Sequence, residues 1–349
     1  MSTKIFYIAH ARLPTEKAHG IQIMKMCEAF AGAGVSVELI VPRRLNPIQT
    51  DAFEYYGVKK NFTITRIPVL DTVAWGRIGF WFELLQFLFF TRLYLVGKRG
   101  VVYTREEAAG LLWRDFILEL HHKPHARVLL PRRVFVLTQL LKNDIAPHPA
   151  RVLPDAVDLA QFDLSISPED ARAKLGLPQD RKIVLYAGSF SLYPWKGVDT
   201  VLQAAKNFQS QTLFVLVGGE GSSTDNLLFV PHQPYARIPL YLKAADILVL
   251  PNKKGDAVSE RYTSPLKLFE YLAAERPIVC ADLPSLREVV GEREVVFFEP
   301  NRPDSLAAAI REILSDPTRA ADIARKARNR AADFTWGARA NTVLAFIKN

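Results

Sequence analysis

Two stretches of this 349-residue chain alternate short apolar segments with helical ones. In the first stretch, an apolar segment at Ile5–Ala9 precedes a long polar turn, a helical segment at Ile21–Gly32 and a second apolar segment at Val35–Val41. The same order begins again at Ile183–Ala187. A repeated strand–helix–strand order predicts parallel sheets with helices packed on both faces.

The remaining segments extend this pattern. Further strands are expected at Phe62–Ile67, Gly100–Tyr103, Ala126–Leu130, Val134–Leu137, Thr212–Val217, Ile247–Leu250 and Pro277–Ala281, and further helices at Val198–Asn207, Pro239–Ala244, Pro265–Ala274 and Trp336–Ile347. Residues 154–180 are rich in Pro and Asp without strong periodicity, so we expect a linker there. The chain is therefore predicted to be α/β, with two Rossmann-like, doubly wound domains at residues 1–160 and 161–335 and a cleft between them.

Composition and charge limit the classes of partner that we expect for this chain. The 49% hydrophobic and 23% charged content is that of a folded globular protein. Of the net charge of +9, most lies in residues 1–150, which contain 20 Lys and Arg against 12 Asp and Glu. No aromatic–basic interleaving and no recognition-helix pattern is present, so we expect no nucleic-acid partner. An anionic membrane surface or a phosphate-bearing acceptor is expected instead, and a basic protein without a special partner is the alternative.

The location is expected to be cytoplasmic. The apolar run that begins at Lys4 is too short for a signal peptide. Cys27 and Cys280 lie far apart in apolar segments, which indicates buried thiols in a reducing compartment.

The segment Tyr262–Ala273 carries signals for a helix start and an anion site. Ser264 is a favourable N-cap residue, and Pro265 suits the first helical position. The first amides of this helix, with Lys267 beside them, would bind an anion such as a pyrophosphate. Glu270, about one and a half turns further on, could accept hydrogen bonds from a ribose. An ordinary capped surface helix is the alternative.

This segment resembles the donor-nucleotide signature of the retaining glycosyltransferases of family 4, in which two Glu residues separated by seven others close on the nucleotide. Glu270 takes the second position, Tyr262 takes the first, and Glu260 is the nearest carboxylate that could replace the missing one. Other elements follow in the family's order: Pro154–Asp158 at the hinge, Tyr186–Ser189 with Tyr193–Asp199 in the donor-phosphate loop, Val217–Gly221 and Ala245–Pro251. The resemblance implies a GT-B architecture, in which the C-terminal helix, residues 336–349, packs back on the first domain.

A departing diphosphate requires positive charge beside it. The chain has no Asp-x-Asp ligand pair, so we expect Lys196 and Lys267, with helix amides, to supply this charge without a metal. The resemblance supports Lys196, because Trp195 and Gly197 match the family's element; a surface lysine is the alternative. Many relatives have an Arg after the loop glycine, where this chain has Ser189.

The glycine-rich segment Gly218–Gly221 is a poor match to a dinucleotide fingerprint, and we expect it to pass under the nucleotide. The resemblance places the base near Phe229–Gln233, where backbone groups would contact its edge and His232 itself could be solvated. The candidate donor-binding residues are Gly20, Gly188, Ser189, Lys196, Gly219, His232, Tyr262, Thr263, Ser264, Pro265, Leu266, Lys267 and Glu270.

The first domain is expected to bind the acceptor. Glu119 and His121 resemble the family's Glu-x-His element, whose His faces the donor sugar, and a structural histidine is the alternative. A zinc site at this histidine-rich segment lacks helix-face metal spacing, so we expect no metal and no cofactor. His19 and Gly20 lie in the loop expected after the first strand, and Arg105 is a basic candidate for the acceptor. The candidate catalytic residues are Lys196, Glu270 and His121, and the candidate acceptor-binding residues are Arg105, Glu119 and His19.

The run Ile78–Val96 allows two interpretations. It is aromatic, but polar residues interrupt it, and it is too polar for a transmembrane prediction. It is either a core-packing helix or a helix that dips one aromatic face into a bilayer. Basic residues flank it at Arg77, Arg92, Lys98 and Arg99.

Together these features predict a retaining, metal-independent glycosyltransferase. It would move a sugar from a UDP- or GDP-linked donor to a lipid-linked or glycan acceptor in the synthesis of a surface polysaccharide or glycolipid, with possible peripheral contact with an anionic membrane. The alternatives are a nucleotide-sugar 2-epimerase of the same fold and an inactive scaffold, which the Tyr at position 262 allows.

Overall fold

The computed structural model describes residues 4–189 and 194–348. The chain divides into two compact units. The first unit comprises Met1–Pro154 together with Trp336–Asn349, and the second comprises Asp155–Thr335. Tyr193, which belongs to the expected donor-phosphate loop, lies outside the described residues.

Parallel strands form one sheet in each unit. In chain order they are β1 (Lys4–Ile8), β2 (Ser36–Arg43), β3 (Thr63–Pro68), β4 (Val101–Thr104), β5 (Ile117–Leu120), β6 (Arg133–Val136), β7 (Arg151–Val152), β8 (Lys182–Ala187), β9 (Thr212–Val217), β10 (Leu227–Val230), β11 (Ile247–Leu250), β12 (Ile278–Ala281) and β13 (Val296–Phe298).

Helices connect and cover the strands. They are α1 (Ala18–Gly32), α2 (Ala52–Tyr56), α3 (Gly76–Tyr94), α4 (Gln139–Ile145), α5 (Leu159–Phe162), α6 (Pro168–Leu175), α7 (Val198–Ala205), α8 (Ile238–Ala244), α9 (Leu266–Ala273), α10 (Pro284–Arg287), α11 (Pro303–Ser315), α12 (Pro317–Ala331) and α13 (Trp336–Lys348). Helix α13 packs on α1 in the first unit.

The strand order places the ends of particular strands side by side. The first sheet runs β3-β2-β1-β4-β5-β6-β7, and the second runs β10-β9-β8-β11-β12-β13. The order reverses direction at β1/β4 and at β8/β11, which are the positions where parallel sheets bind ligands at the carboxyl ends of their strands. The expected doubly wound α/β architecture is confirmed for both units.

Two local expectations are wrong. The strand expected at Ala126–Leu130 is a 3₁₀ turn, Arg127–Leu129, because the amides of Leu129 and Leu130 donate to the carbonyl groups of Ala126 and Arg127 within the turn and not to a neighbouring strand. The linker expected at residues 154–180 contains the helices α5 and α6.

Helix α6 has end signals that are readable in the sequence. Ser167 caps it by accepting a hydrogen bond from the Asp170 amide at 3.0 Å, Pro168 stands at its start, and Gly176 ends it in the left-handed conformation. The short strands β5, β7, β10 and β13 were not among the predicted strands.

Helix α3 is covered on one face only. The residues buried along it are Gly79, Glu83, Leu84, Phe87, Leu88 and Thr91. Its apolar side chains with large exposed fractions include Ile78 at 85%, Phe82 at 49%, Phe89 at 52% and Leu93 at 53%. By length and composition alone, the segment Val73–Tyr94 could cross a membrane.

Candidate functional site

Two glycine loops meet at the carboxyl ends of β8 and β9. The Gly188 amide donates to the Val217 carbonyl at 2.8 Å, and the Gly218 amide donates to the Val230 carbonyl at 2.9 Å. Gly218 has a φ of +114°, and a Cβ atom there would lie 2.8 Å from the carbonyl carbon of Gly188. The two backbones therefore approach too closely for a side chain at this position.

Lys196 lies at the end of a short 3₁₀ turn that is fixed to the end of β11. Gly197, with a φ of +71°, brings the backbone against the Pro251 carbonyl oxygen, which would be 1.8 Å from an added Cβ atom. The Lys196 Nζ donates to the Ser189 carbonyl at 2.7 Å. Burial lowers the pKa of Lys196 to about 8.

Lys267 lies over the first of the glycine loops. Its Nζ would be 3.3 Å from a Cβ atom added at Gly188, so the glycine provides the space that this lysine occupies. The Nζ donates to the Tyr186 hydroxyl at 2.9 Å. Burial, and then the charge of Lys196, hold the pKa of Lys267 well below its usual range. The two predicted lysines are thus close enough to repel each other.

Glu270 lies one turn after Lys267 on α9, and helical periodicity brings these two side chains to the same face. Glu270 is buried, and its carboxylate is hydrogen-bonded to the Tyr235 side chain. Burial raises its pKa to about 7, although the Tyr235 hydrogen bond and the Lys267 charge act in the opposite direction. We call Gly188, Lys196, Gly218, Lys267 and Glu270 the lysine cluster.

The predicted helix start is wrong by one residue. Helix α9 begins at Leu266, its N-cap is Pro265, and no side chain caps it. Ser264 cannot serve as the cap, because Pro265 takes an extended backbone conformation and the Ser264 hydroxyl accepts a hydrogen bond from the Asp155 amide at 2.9 Å. Thr263 continues the extended backbone before the helix.

Tyr262 and Glu260, the residues considered for the first Glu position of the donor-nucleotide signature, lie just before helix α9 in the chain. Tyr262 ends a π-helical turn, Val258–Tyr262, and is half-buried. The Glu260 carboxylate accepts a hydrogen bond from the Gly255 amide, five residues earlier in the chain. His232 is exposed beyond the edge strand β10, and Gly219 is half-buried after β9.

Gly20 does not lie in a loop after β1, as was expected. It lies in the first turn of α1, where an added Cβ atom would be 2.1 Å from the Tyr56 hydroxyl oxygen. The same hydroxyl donates to the Thr15 carbonyl at 2.8 Å and accepts from the Thr15 amide at 2.7 Å. The glycine therefore makes room for a packed tyrosine.

A second polar cluster surrounds Glu119 at the end of β5 in the first unit. Glu119 has no exposed surface. One carboxylate oxygen contacts His121 Nε2 at 2.6 Å and accepts from Gln22, and the other accepts from Tyr103 and, at 3.0 Å, from Arg339 Nη1. Four separate segments therefore converge on one carboxylate.

The predicted acceptor residues come together here. Arg105 donates to the Gln22 side-chain oxygen at 2.6 Å, next to Glu119. Burial and then Arg105 lower the pKa of His121 to about 4 and that of His19 to about 3. Both imidazoles are therefore neutral at pH 7, beside a permanent cation. We call His19, Gln22, Arg105, Glu119 and His121 the histidine cluster.

Three members of this environment were not predicted from the sequence, namely Gln22, Tyr103 and Arg339. Nothing in the sequence distinguished Gln22 and Arg339 from the other polar residues of their helical segments. Nearby, His125 pairs with Glu107 through Nδ1 at 2.6 Å. Within residues 4–189 and 194–348, no group of three or more His, Cys, Asp or Glu side chains is arranged to hold a metal ion.

Comparison with known proteins gives a glycosyltransferase family model and curated relatives that are glycosyltransferases. Residues 167–330 match the family model described as glycosyl transferases group 1. A D-inositol 3-phosphate glycosyltransferase of Kineococcus radiotolerans is 28% identical over 231 residues, which are 57% of this chain and 51% of the relative. The chain thus spans about half the length of the curated relatives it matches.

Solved structures match over nearly the whole chain. Sucrose-phosphate synthase (tll1590) from Thermosynechococcus elongatus has a TM-score of 0.78 at 20% identity, over 99% of this chain and 98% of that one. Anabaena Alr3699/HepE in complex with UDP and glucose has a TM-score of 0.77 at 14% identity, over 99% of both chains. These likenesses establish a shared fold. The chain therefore has the GT-B fold, and residues 167–330 of its second unit are similar to the glycosyl transferases group 1 family.

Proposed function

We propose that this chain is a retaining, metal-independent glycosyltransferase that moves a sugar from a nucleotide-diphosphate sugar to a lipid-linked or glycan acceptor. The observation that carries the proposal is the lysine cluster, in which two half-buried lysines lie beside close-packed glycine loops and one of them, Lys267, lies one turn from the buried Glu270. The match of residues 167–330 to the family model supports the transfer reaction, and the resemblance to family 4 supports retention of the anomeric configuration.

The electrostatics of the cluster suit a diphosphate. When the bond from the sugar to the diphosphate breaks, negative charge grows on the departing oxygen and positive charge grows on the sugar ring. Burial disfavours the charged forms of Lys196 and Lys267, and the charge of Lys196 further disfavours that of Lys267. A diphosphate would reverse both effects. The site is therefore poorly satisfied without its ligand and well satisfied with it.

The same arrangement supports a reaction that needs no metal. Many phosphate-transferring sites use a divalent cation to neutralise the leaving group. Here two ammonium groups would provide a similar charge, and Lys is a suitable point charge for phosphate. Glu270, one turn further along α9, would accept hydrogen bonds from the ribose hydroxyl groups.

The relatives suggest which donor to test first. Anabaena Alr3699/HepE has been solved with UDP, with UDP and glucose, and with UDP-glucose. We therefore infer a UDP-linked sugar as the first candidate donor and a GDP-linked sugar as the second.

Helix α3 supports a lipid-linked acceptor at a membrane surface. One face is fixed to the first unit through Glu83, which is fully buried and ion-paired with Arg44. The other face exposes Ile78, Phe82 and Phe89 to solvent. A buried ion pair on one side and exposed aromatic residues on the other favour a helix that lies in the interface of a bilayer.

Basic residues border this exposed face. Arg77, Arg92, Lys98 and Arg99 are exposed at or near the ends of α3. Each basic residue near an anionic membrane contributes about 1 kcal/mol of attraction. We infer peripheral contact with the cytoplasmic side of an anionic membrane, with α3 lying along the surface.

The direct test incubates the protein with UDP- and GDP-sugars, with and without lipid-linked acceptors, and measures both nucleotide release and the product. We expect acceptor-dependent nucleotide release that survives EDTA, and a product with the anomeric configuration of the donor. Conversion of the donor sugar to its 2-epimer would instead identify an epimerase. Tight nucleotide binding without turnover of any donor would identify an inactive scaffold, which the Tyr at position 262 allows.

A further inference from the structure

We propose that Arg339 of the C-terminal helix α13 is a positioning residue that acts through Glu119 on His121. The inference rests on the proposed transferase function for its kinetic consequence only. Arg339 is 220 residues away from Glu119 in the chain, and its Nη1 lies 3.0 Å from the Glu119 Oε2.

The guanidinium group is held from several directions. Its Nε donates to the Pro154 carbonyl at 2.8 Å, and its Nη1 lies 3.4 Å from the Met26 sulfur of α1. Only 4% of Arg339 is exposed. A planar guanidinium fixed in this way presents its donors in one orientation, so Glu119 is fixed as well.

Arg339 also determines the charge of Glu119. Burial by itself would raise the pKa of Glu119, but Arg339, followed by His121, outweighs it and holds the pKa well below its usual range. An ionised carboxylate in this place can only accept hydrogen bonds. The side chains that face Glu119 come from separate segments and are Tyr7, Gln22, Tyr103, His121 and Arg339.

The ionised carboxylate selects the tautomer of His121. His121 Nε2 lies 2.6 Å from Glu119 Oε1, so Nε2 carries the proton and Nδ1 keeps its lone pair. Two other charged groups act on His121, namely Arg105 and Arg339. The titratable imidazole of His19 also interacts electrostatically with His121. Nδ1 of this tautomer is an acceptor for a hydroxyl proton of a sugar or an acceptor substrate.

Removal of the arginine charge reverses this selection. Without Arg339, the buried Glu119 takes up a proton at higher pH. Its hydroxyl group then donates to His121 Nε2, and the imidazole proton moves to Nδ1. His121 would then present a donor where the first tautomer presents an acceptor. The arginine thus controls the hydrogen-bonding character of His121 through the carboxylate that both side chains contact.

The test compares Arg339→Met with Arg339→Lys and with Val343→Ala in the full-length protein. Val343 is fully buried on α13. Its replacement by Ala should loosen the packing of the same helix without changing a charge. The ¹⁵N NMR signals of the His121 imidazole report its tautomer between pH 4 and pH 8. In wild type we expect the Nε2-protonated form throughout the range above the His121 pKa of about 4.

In Arg339→Met we expect the Nδ1-protonated form to appear, because loss of a neighbouring opposite charge raises a carboxyl pKa by about 1–3 pH units. Arg339→Lys should keep the wild-type tautomer of His121. Val343→Ala should lower Tm but should also keep the wild-type tautomer. Arg339→Gln, also uncharged, replaces Arg339→Met if that variant does not fold. An unchanged His121 tautomer in the uncharged variant would overturn the proposal.

The kinetic measurement is made on the same variants. The acid limb of kcat/KM for sugar transfer should move to higher pH in Arg339→Met and stay in place in Val343→Ala. A tautomer change in a protein that transfers no sugar would contradict the proposed function and leave the positioning role supported. A fall in rate at all pH values with no movement of the acid limb would show that Arg339 acts through packing alone.

Discussion

Lys267 and Tyr186 form a direct pair between helix α9 and strand β8. The lysine Nζ is 2.9 Å from the tyrosine hydroxyl oxygen and 4.4 Å from the centre of its ring. The pair holds a buried amine beside Gly188 in the lysine cluster. An amine that is buried with a second lysine nearby is a source of instability in the free protein, and that instability can be measured.

The first prediction concerns the stability cost of this amine. The folded state lowers the pKa of Lys267 below the unfolded value of 10.5, so the folded protein disfavours the charged form. This cost is largest at low pH and disappears as the pH rises towards 10.5. Lys267→Met should therefore have an unchanged or higher Tm at pH 7, while UDP binding weakens about ten- to a hundredfold through loss of a charged hydrogen bond.

The measurements are thermal unfolding and calorimetric titration with UDP. Lys174→Met, at an exposed position of α6, is the matched control and should change neither quantity. A lower Tm with unchanged UDP affinity would show that Lys267 has a structural role.

The second prediction concerns Lys196 as a charge on the leaving diphosphate. Lys196→Ala should reduce the transfer rate about a hundred- to a thousandfold, since loss of one such donor typically costs about 3–4 kcal/mol. Because the pKa of Lys196 is about 8, kcat/KM should fall as the pH rises through this value. Lys196→Arg should remove that alkaline limb, because arginine stays charged.

Lys253→Ala is the control for this series. Lys253 pairs with Asp199 at 2.6 Å near the surface. Its removal should change the rate little, because exposed ion pairs contribute at most about 1 kcal/mol. A normal rate in Lys196→Ala would exclude this lysine from the reaction.

The third prediction concerns Glu270. Folding raises its pKa from 4.5 to about 7, so the folded state favours the protonated carboxyl group. Its contribution to stability is complete below pH 4.5 and is lost as the pH rises through about 7. Glu270→Gln should remove this loss, which amounts to up to about 3 kcal/mol, since a pKa difference of one corresponds to about 1.4 kcal/mol.

Unfolding in urea at pH 5 and pH 8 tests this expectation. The glutamine variant should gain stability relative to wild type at pH 8 and not at pH 5. Its affinity for UDP should fall at pH 8, where the wild-type carboxylate is ionised, because the ribose loses a charged acceptor. An unchanged Kd for UDP would remove Glu270 from the donor site.

The fourth prediction concerns helix α3. Wild type should co-sediment with anionic vesicles and not with neutral ones, and salt should weaken this binding, because exposed charges are screened over about 8 Å at physiological ionic strength. Ile78→Ser and Phe82→Ser should reduce vesicle binding without a change in Tm, because both side chains are exposed.

Phe87→Ser on the same helix is the contrasting variant. Phe87 is fully buried, so its replacement should cost about 3 kcal/mol or more of stability. Wild type that stays in the supernatant with anionic vesicles would contradict membrane contact.

The sequence by itself determined the features that depend on neighbouring residues. Alternating apolar and helical segments defined the parallel sheets, because strand and helix periodicities are local. The same local periodicity placed Lys267 and Glu270 on one face of α9. Local signals failed where a distant partner competed: the Ser264 hydroxyl binds the Asp155 amide instead of capping the helix.

Only the tertiary structure decided which distant groups meet. Glu119 obtains its ion-pair partner from Arg339, 220 residues later, because the C-terminal helix packs in the first unit. Position 20 requires a glycine because the Tyr56 side chain packs against it. One face of α3 is exposed because no element among the described residues covers it. A sequence pattern states which residues share a face of a helix or strand. Whether that face is covered, and by which charges, depends on how the whole chain packs, because a buried carboxylate is satisfied by whichever donors the fold brings to it.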